Sequence, residues 1–388
     1  MKKSILAILT IAIFLSSSLV ITLPIPARAA SGAVIAFDYY HVQVGNQTVY
    51  RAYGLPGPSY EVVDRDRLYS NLTKLGYSLD FLNQTTPITS SELSGVSVLF
   101  LGKADDPPIN YSVSEVQAIT SWFQTGGKLL MVSGNSGYTT NDTENTAFMS
   151  TIPNWVLSSI GSSLRLEVGG EVTDVAGPGP GAASPPAGVG ASGSGFRDFA
   201  SAVNNGINTQ GFAATLTQGT QYVRFHGPTN VIGYQNGAYV PFSSLTADTV
   251  TWLYRTSTQG SLQQYGAAKP YVTAYATPGQ LVLAAAEEIA EGSTYSKVVV
   301  GGAGFYGNYV INANGEYSYN VVFQGQQFVE NAVAWGLTVE SVPSSTNWTL
   351  IIAAAVVAIV IIAAAAIYLM RRKPMPKAAP AAPAAPAA

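Results

Sequence analysis

The sequence predicts an α/β fold: a doubly wound, mostly parallel sheet with an irregular β-rich insertion, plus one C-terminal transmembrane helix. Three observations lead to this prediction. From residue 31 onwards short apolar runs alternate with amphipathic stretches, a pattern typical of strand–helix–strand units with right-handed crossovers. A Gly/Pro/Ser-rich segment at 177–195 interrupts the alternation. An uncharged apolar stretch occupies 348–370.

The first part of the chain gives the clearest elements. Leu68, Leu72 and Leu75 share one helical face, and Ser112 and Glu115 have the spacing of a capping box. The almost unbroken apolar run at 96–102 is typical of a strand covered on both faces. The predicted order is strand 33–38, helix 64–76, strand 77–82, strand 96–102, helix 112–126 and strand 128–132.

The rest of the domain is less regular. A helix at 145–161 should be interrupted near Pro153, and the apolar face of the last helix should begin after Asn320 as N-cap. The segment 177–195 is interpreted as a flexible exposed loop rather than an interdomain linker, because the α/β pattern resumes after it. The predicted elements are helix 145–161, strands 164–168, 171–175, 249–256, 280–288 and 297–302, and helix 320–337.

Two terminal segments predict the location. Residues 1–30 have a basic start, an apolar run and Ala27-Arg28-Ala29, which favours a cleaved signal peptide over an uncleaved anchor. Residues 348–370 are long enough to cross a bilayer, although a core helix is the alternative. The cluster Arg371 to Lys373 follows at once and places the C-terminus in the cytoplasm.

These boundaries predict a single-pass type I protein of the cell membrane. The extracellular domain would span 31–337, followed by a short stalk at 338–347 and the transmembrane helix at 348–370. The cytoplasmic tail 371–388 is basic and then becomes a Pro/Ala repeat, which cannot bury a core.

Composition excludes several function classes. Only 11% of residues are charged and the net charge is −3, so the basic surface of a nucleic-acid binder is missing. The chain has no cysteine, which excludes disulfides, thiolate metal sites and a cysteine nucleophile. His41 and His226 lie far apart in sequence, so a histidine-rich metal site is not expected.

A family resemblance rests on the order of six segments. The order is "IAFDYYH", a helix, "LGYSLDFLN", "LSGVSVLFLG", a capped helix ending in "WFQTGGKLLMVSG", and "KVVVGGAGFYGNY" with the last helix. This order resembles the class I glutamine-amidotransferase-like, flavodoxin-like domains of uncharacterised exported and ABC-transporter-associated proteins, and is similar to a domain of some intraflagellar transport proteins. The resemblance covers about 33–137 and 280–337, and it implies a mostly non-catalytic domain with a binding or assembly role.

The candidate binding site follows from the topology. In a doubly wound sheet the loops at the carboxyl ends of the strands converge on one crevice. The residues that these loops would bring together are Asp38, His41, Asp105, Asp106, Ser133, Asn135, Ser136, Tyr306 and Asn308. Tyrosines in these loops, Tyr39, Tyr40, Tyr138 and Tyr306, are candidate contacts or packing residues.

We predict that this site is not catalytic. The resemblance implies a cysteine nucleophile at about Ser133 or Gly134 and a later histidine, and the sequence supplies neither. A serine would need an adjacent base, for which only His41 is available, and "SGNSG" lacks the G-x-S-x-G spacing. Gly134 and Gly137 are interpreted as positions of positive φ in a tight turn.

Cofactor and metal sites are not predicted either. Asp105 and Asp106 could supply carboxylates to Ca²⁺ together with Asp38, but a solvated loop start is the simpler interpretation. The segment "GAGFYG" at 302–307 has dinucleotide-binding spacing, yet no helix opens directly after it.

Six N-x-S/T sequons lie on the predicted exterior side, where glycosylation is possible. They are Asn46, Asn71, Asn83, Asn110, Asn141 and Asn347.

The leading functional hypothesis is a membrane-anchored extracellular binding or scaffold protein. Its partner would be a protein, an envelope glycan or an ABC transporter, and not a nucleic acid. One alternative is an extracellular hydrolase that uses Ser133, Asp38 or Asp106. Another is the solute-binding component of an ABC importer, which would require a second α/β lobe. A serine or carboxylate at hydrogen-bond distance from His41 would favour the hydrolase.

Overall fold

The computed structural model describes the domain in ten stretches: 32–41, 60–82, 86–102, 110–135, 148–174, 200–202, 206–225, 227–264, 268–306 and 324–342. These stretches belong to one compact unit that ends at Val342. Among them no helix combines the length and the apolar character that a membrane crossing requires. The predicted signal peptide, the loop at 177–195 and the predicted span at 348–370 lie outside the described residues.

The fold is built from fourteen strands and five helices within the described stretches. The helices are α1 (Tyr60–Lys74), α2 (Val113–Phe123), α3 (Phe148–Ser159), α4 (Ala213–Leu216) and α5 (Gly325–Gly336). The strands are β1 (Val34–Asp38), β2 (Ser78–Leu82), β3 (Val96–Leu101), β4 (Leu129–Ser133), β5 (Leu164–Leu166), β6 (Gly170–Asp174), β7 (Ala200–Ala202), β8 (Val223–Phe225), β9 (Val231–Gln235), β10 (Ala238–Val240), β11 (Val250–Arg255), β12 (Gly260–Gln264), β13 (Val282–Glu291) and β14 (Thr294–Gly301).

A seven-stranded sheet organises the domain, in the order β11-β13-β14-β4-β3-β1-β2. Strands β14, β4, β3, β1 and β2 pair in parallel, whereas β13 pairs antiparallel to both β14 and β11. The prediction of a doubly wound, mostly parallel sheet was therefore wrong, because the sheet is mixed. Three small antiparallel sheets, β10-β9-β5, β12-β6 and β7-β8, accompany it.

The error lies in the connection between β13 and β14. Glu291 pairs with Thr294, so only Gly292 and Ser293 join the two strands. Gly292 has φ +63°, a conformation that tight hairpin loops require and glycine adopts without strain. Such a loop can join only antiparallel strands, since a parallel pair needs a crossover of a dozen or more residues.

The core lies on both faces of the large sheet. Alternate residues of β3 belong to different clusters: Val98 and Phe100 pack with α1 and α5, and Leu99 and Leu101 pack with α2 and α3. The unbroken apolar run in β3 is explained by this double burial.

Helix α3 continues through Pro153, contrary to the predicted interruption. Proline supplies no N–H to the carbonyl four residues earlier, which is that of Met149. A Cβ on Gly134 would come within 2.7 Å of this carbonyl oxygen. Gly134 is not in the positive-φ region, so the turn needs glycine here for the close approach of α3 and not for its φ.

After α5 the chain returns along the β13–β14 hairpin. The N–H of Tyr295 donates to the carbonyl of Glu340, and the N–H of Val342 donates to that of Ser293. The buried Nζ of Lys297 in β14 donates to the Trp335 carbonyl at 3.0 Å and to the Glu340 carboxylate at 2.9 Å. Residues 338–342 of the predicted stalk are thus fixed to the hairpin.

Candidate functional site

The carboxyl end of β1 carries the first predicted site residue, Asp38, which is fully buried. Its Oδ1 accepts hydrogen bonds from the backbone N–H groups of Tyr40 and His41, at 3.0 and 3.2 Å. Its Oδ2 accepts from His41 Nδ1 at 2.9 Å and from the Tyr111 hydroxyl at 2.8 Å. One carboxylate thus orders the turn after β1 and binds two side chains.

His41 lies between two carboxylates and is only 3% exposed. Because an ionised carboxylate only accepts, Nδ1 carries the hydrogen that binds Asp38. Nε2 lies 3.3 Å from Glu115 Oε1, but the contact does not have hydrogen-bond geometry. We regard it as an electrostatic contact, since direction as well as distance defines a hydrogen bond. The Tyr111 ring packs on the imidazole, with centroids 3.9 Å apart.

Glu115 holds the start of α2. Its Oε2 accepts from the Ser112 N–H at 2.7 Å, and the Ser112 Oγ accepts from the Glu115 N–H, which confirms the predicted capping box. Its Oε1 also accepts from the Ile88 N–H at 2.9 Å. The same carboxylate therefore stabilises a helix, fixes the segment before β3 and faces His41.

Tyr306 lies after β14 and is fully buried. Its hydroxyl donates to the Asp38 carbonyl at 2.6 Å and accepts from the Gly102 N–H at 3.1 Å. Burial, and after it the charge of Asp38, raises the pKa of the Tyr306 and Tyr111 hydroxyls well above 10. Both phenols therefore keep their protons, and neither acts as a base.

We call Asp38, His41, Tyr111, Glu115 and Tyr306 the carboxyl-edge cluster. Next to it lies a narrow space lined by His41, Leu101, Gly102, Tyr111, Ile152 and Pro153, which does not admit a water molecule. An Asp–His pair can orient an imidazole as a general base. Here, however, the second ring nitrogen faces the Glu115 carboxylate, and the adjoining space is closed among the described residues.

Ser133 ends β4 and is fully buried. Its Oγ donates to the Leu101 carbonyl at 3.2 Å and not to an imidazole. Asn135 is also buried, two residues further along the same turn. The turn with the shape of an enzyme elbow therefore directs its described serine into the sheet.

The structure brings Asp38, His41 and Tyr306 together, as the topology of parallel strands predicts. Four other predicted site residues, Asp105, Asp106, Ser136 and Asn308, lie outside the described residues. Within the described stretches no group of three His, Asp or Glu side chains is arranged to hold a metal ion.

Sequence reasoning missed Tyr111 as a site residue and interpreted Glu115 only as a helix cap. A signal was available, because helices that follow strands of a parallel sheet begin at the same edge. Residues at the start of α2 should therefore have been placed beside Asp38.

Two of the predicted glycosylation sites are described. The Asn71 amide nitrogen, to which a glycan would be attached, donates to Glu330 Oε1 at 2.9 Å and to Gln326 Oε1 at 3.3 Å. Asn110 is exposed. The remaining sequons, Asn46, Asn83, Asn141 and Asn347, lie outside the described residues.

Comparisons with known proteins give little guidance. No protein-family model matches the chain, and no curated protein matches it. Among solved structures, the mmIFT52 N-terminal domain is similar at 12% identity with a TM-score of 0.44, over 79% of this chain and 98% of that one. A protein described as ThuA-like, from Bacteroides uniformis ATCC 8492, is similar at 12% identity with a TM-score of 0.39, over 80% of this chain and 93% of that one.

Proposed function

We propose that this protein is a non-catalytic binding or scaffold protein that engages a protein or an envelope glycan outside the cell membrane. One observation carries the non-catalytic part. Asp38 and Glu115 occupy both sides of His41, and the adjoining space does not admit water. Among the described residues both nitrogens of the imidazole thus face carboxylates, which supports a cluster that holds the sheet edge in place.

The neighbouring hydroxyls support this proposal. A serine nucleophile needs a base within hydrogen-bond reach, whereas Ser133 donates to a backbone carbonyl. The Tyr111 hydroxyl binds Asp38, and the Tyr306 hydroxyl binds backbone groups. Among the described residues, each of these hydroxyls has a structural partner.

One observation favours the hydrolase as a second candidate. The Asp38 carboxylate lies 2.9 Å from His41 Nδ1, which is the orientation that the acidic member of a catalytic triad gives its histidine. In that case a conformational change would have to move Glu115 away from Nε2 and admit a substrate.

Turnover assays separate the two candidates. The purified full chain should hydrolyse neither glutamine nor chromogenic esters and glycosides above the background rate. His41→Asn, which retains a polar side chain, provides the control for any activity found. Hydrolysis that His41→Asn abolishes while the protein stays folded would overturn the non-catalytic proposal.

The location outside the cell membrane rests on the sequence of 1–30 and on the basic cluster after residue 370. Protease treatment of intact cells should degrade the domain and leave a cytoplasmic marker protein untouched. Protection of the domain in intact cells, with digestion only after lysis, would contradict this location. The relationship to amidotransferase-like domains stays a prediction drawn from the order of sequence segments.

A further inference from the structure

A concavity lies at the opposite end of the sheet from β1. It has a volume of about 420 Å³ and lies between edge strand β11, the first residue of β13 and strand β9 of the small sheet. Pockets for small ligands have volumes of roughly 300–1,000 Å³, so this one suits a small ligand. Pro241 and Ser243 in its wall are exposed, and the pocket is thus reached from solvent.

Most of the pocket wall is apolar. Its main apolar contributors are Val231, Ile232, Phe242, Leu245, Trp252 and Leu281. A wall of this composition favours a ligand with an apolar body and does not favour a bare inorganic ion.

A positively charged side chain also lines the pocket. The Arg255 guanidinium lies over the Trp252 ring, 4.1 Å from its centroid, and both residues line the pocket. Burial lowers the pKa of Arg255, although an arginine keeps its charge in proteins. An anion in the pocket would add a charge-assisted hydrogen bond to the contacts that this guanidinium already makes.

Irregular pairing between β11 and β13 brings Trp252 and Arg255 to the same pocket. The pairing of β11 with β13 shifts between Trp252 and Tyr254 and again between Tyr254 and Arg255. In a regular strand, side chains three positions apart face opposite sides. The shifts allow Trp252 and Arg255 to line the same pocket, and such irregularities commonly re-aim side chains near functional sites.

One polar group in the wall is unsatisfied. Asn230 is 3% exposed, and its Nδ2 donates to Thr273 Oγ1 at 3.1 Å. Its Oδ1 has no hydrogen-bond partner among the described residues. A buried acceptor without a donor is rare in proteins and calls for a partner. Because the oxygen itself is buried, a ligand N–H or O–H group would reach it by a turn of the Asn230 side chain towards the pocket.

We propose that this pocket binds a small organic carboxylate with an apolar body and an N–H donor, the chemistry of an N-acylated apolar amino acid. The carboxylate pairs with Arg255, the apolar body packs on Trp252 and Phe242, and the N–H donates to Asn230. This inference deepens the proposed binding function and rests on it.

Calorimetric titration of the purified full chain with matched probes tests the site. N-acetyl-phenylalanine carries the carboxylate, the apolar body and the N–H donor. N-acetyl-phenylalaninamide lacks the negative charge, and acetate lacks the apolar body. We expect N-acetyl-phenylalanine to bind at least about tenfold more tightly than either of the other two, because a hydrogen bond to a charged group is worth about 1.5–3 kcal/mol.

Two arginine variants test whether the probe binds in this pocket. Arg255→Gln should weaken N-acetyl-phenylalanine binding by about tenfold or more. Arg67→Gln is the matched control, since Arg67 lies on α1 near β2, at the other edge of the sheet. Arg67→Gln should leave the dissociation constant unchanged.

Three results would overturn the site: no heat of binding with N-acetyl-phenylalanine, equal binding of the acid and its amide, or equal weakening by the two arginine variants. The acid–amide comparison needs no variant and holds even if Arg255→Gln fails to fold. Chromatography of the recovered probe separates this proposal from the broader one. Consumption of the probe would overturn the non-catalytic function and leave the binding site standing.

Discussion

The polar side chains at the two ends of the large sheet differ in their hydrogen bonding and packing. Near β1, Asp38 accepts four hydrogen bonds and the side chains around it fill the space. Near β11, Arg255 lines an open pocket of about 420 Å³ and Asn230 keeps an unsatisfied oxygen. Within the described stretches the parallel end, where strand order predicts a site, is closed, and the antiparallel end, which carries no motif, is open.

This difference distinguishes structural polar groups from binding groups. Buried polar groups that bind each other hold a single conformation, and near β1 this applies to every group around Asp38, whereas His41 Nε2 faces Glu115 without a hydrogen bond. A hydrogen-bond acceptor without a donor, next to a cavity, can still bind a group of a ligand. Burial raises the pKa of tyrosines at both ends, Tyr111 and Tyr306 near β1 and Tyr254 in β11, so such shifts alone do not identify a functional site.

The largest loss of stability should come from Asp38→Ala at the closed end. The change leaves the Tyr111 hydroxyl, His41 Nδ1 and two backbone N–H groups buried without an acceptor, and we expect a loss of about 3–5 kcal/mol in the free energy of unfolding. Denaturant titration measures it. Asp80→Ala, an exposed position on β2, should stay within about 0.5 kcal/mol of the unchanged chain. A cost below about 1 kcal/mol for Asp38→Ala would show that the carboxyl-edge cluster is not structural.

A smaller loss should follow from Gly302→Ala, where the central strand β14 meets the segment that leads into the pocket. A Cβ at this position would lie 1.9 Å from the Thr229 carbonyl oxygen, so the backbone must shift, at a cost of about 1–3 kcal/mol. Gly279→Ala is the control, because a Cβ there meets no atom within 4 Å. Equal thermal stability of the two variants would contradict the close approach.

Arg255→Gln should barely change stability. The cation–π contact with Trp252 is worth about 0.5–1 kcal/mol at an accessible site, so the denaturation midpoint should move only slightly while the binding of N-acetyl-phenylalanine weakens. A destabilisation as large as that of Asp38→Ala would break the contrast between the two ends.

The smallest expected effect is a change in the pH dependence of stability, and it depends on Glu288 in β13. Burial, and after it Glu340, raises the pKa of Glu288, while Lys297 opposes the rise. The folded state therefore holds this proton to higher pH than the unfolded chain, and the associated stability is lost as pH rises through the folded pKa. Glu288→Gln removes this loss. Its stability relative to the unchanged chain should improve by under about 1 kcal/mol between about pH 4 and pH 7. A relative stability that falls over this range would have the wrong sign.

Local patterns predicted the elements of the parallel end well. The apolar run of β3 and the Ser112–Glu115 capping box are properties of neighbouring residues, which the sequence displays directly. The β13–β14 hairpin was missed although Gly292 and Ser293 signal it, because the expected alternation of strands and helices was extended too far. Pro153 was given too much weight, since a carbonyl that loses its helix donor can lie against Gly134.

The pocket could not be predicted in this way. Its walls come from separate segments between Asn230 and Val282, and their contact depends on how β9 packs against β11 and β13. The irregular pairing that aligns Trp252 with Arg255 has no signature in the spacing of the two residues. Contacts between distant segments are set by the whole fold, and periodicity does not record them.

The attachment of residues 338–342 to the β13–β14 hairpin has a mechanical consequence. Tension on the chain beyond Val342 is transmitted first to the Ser293 carbonyl, to Tyr295 and to the Lys297 ammonium group. These groups belong to the hairpin whose second strand lies in the interior of the sheet. A pulling force would therefore load an interior strand of the sheet before it reached either the closed or the open end.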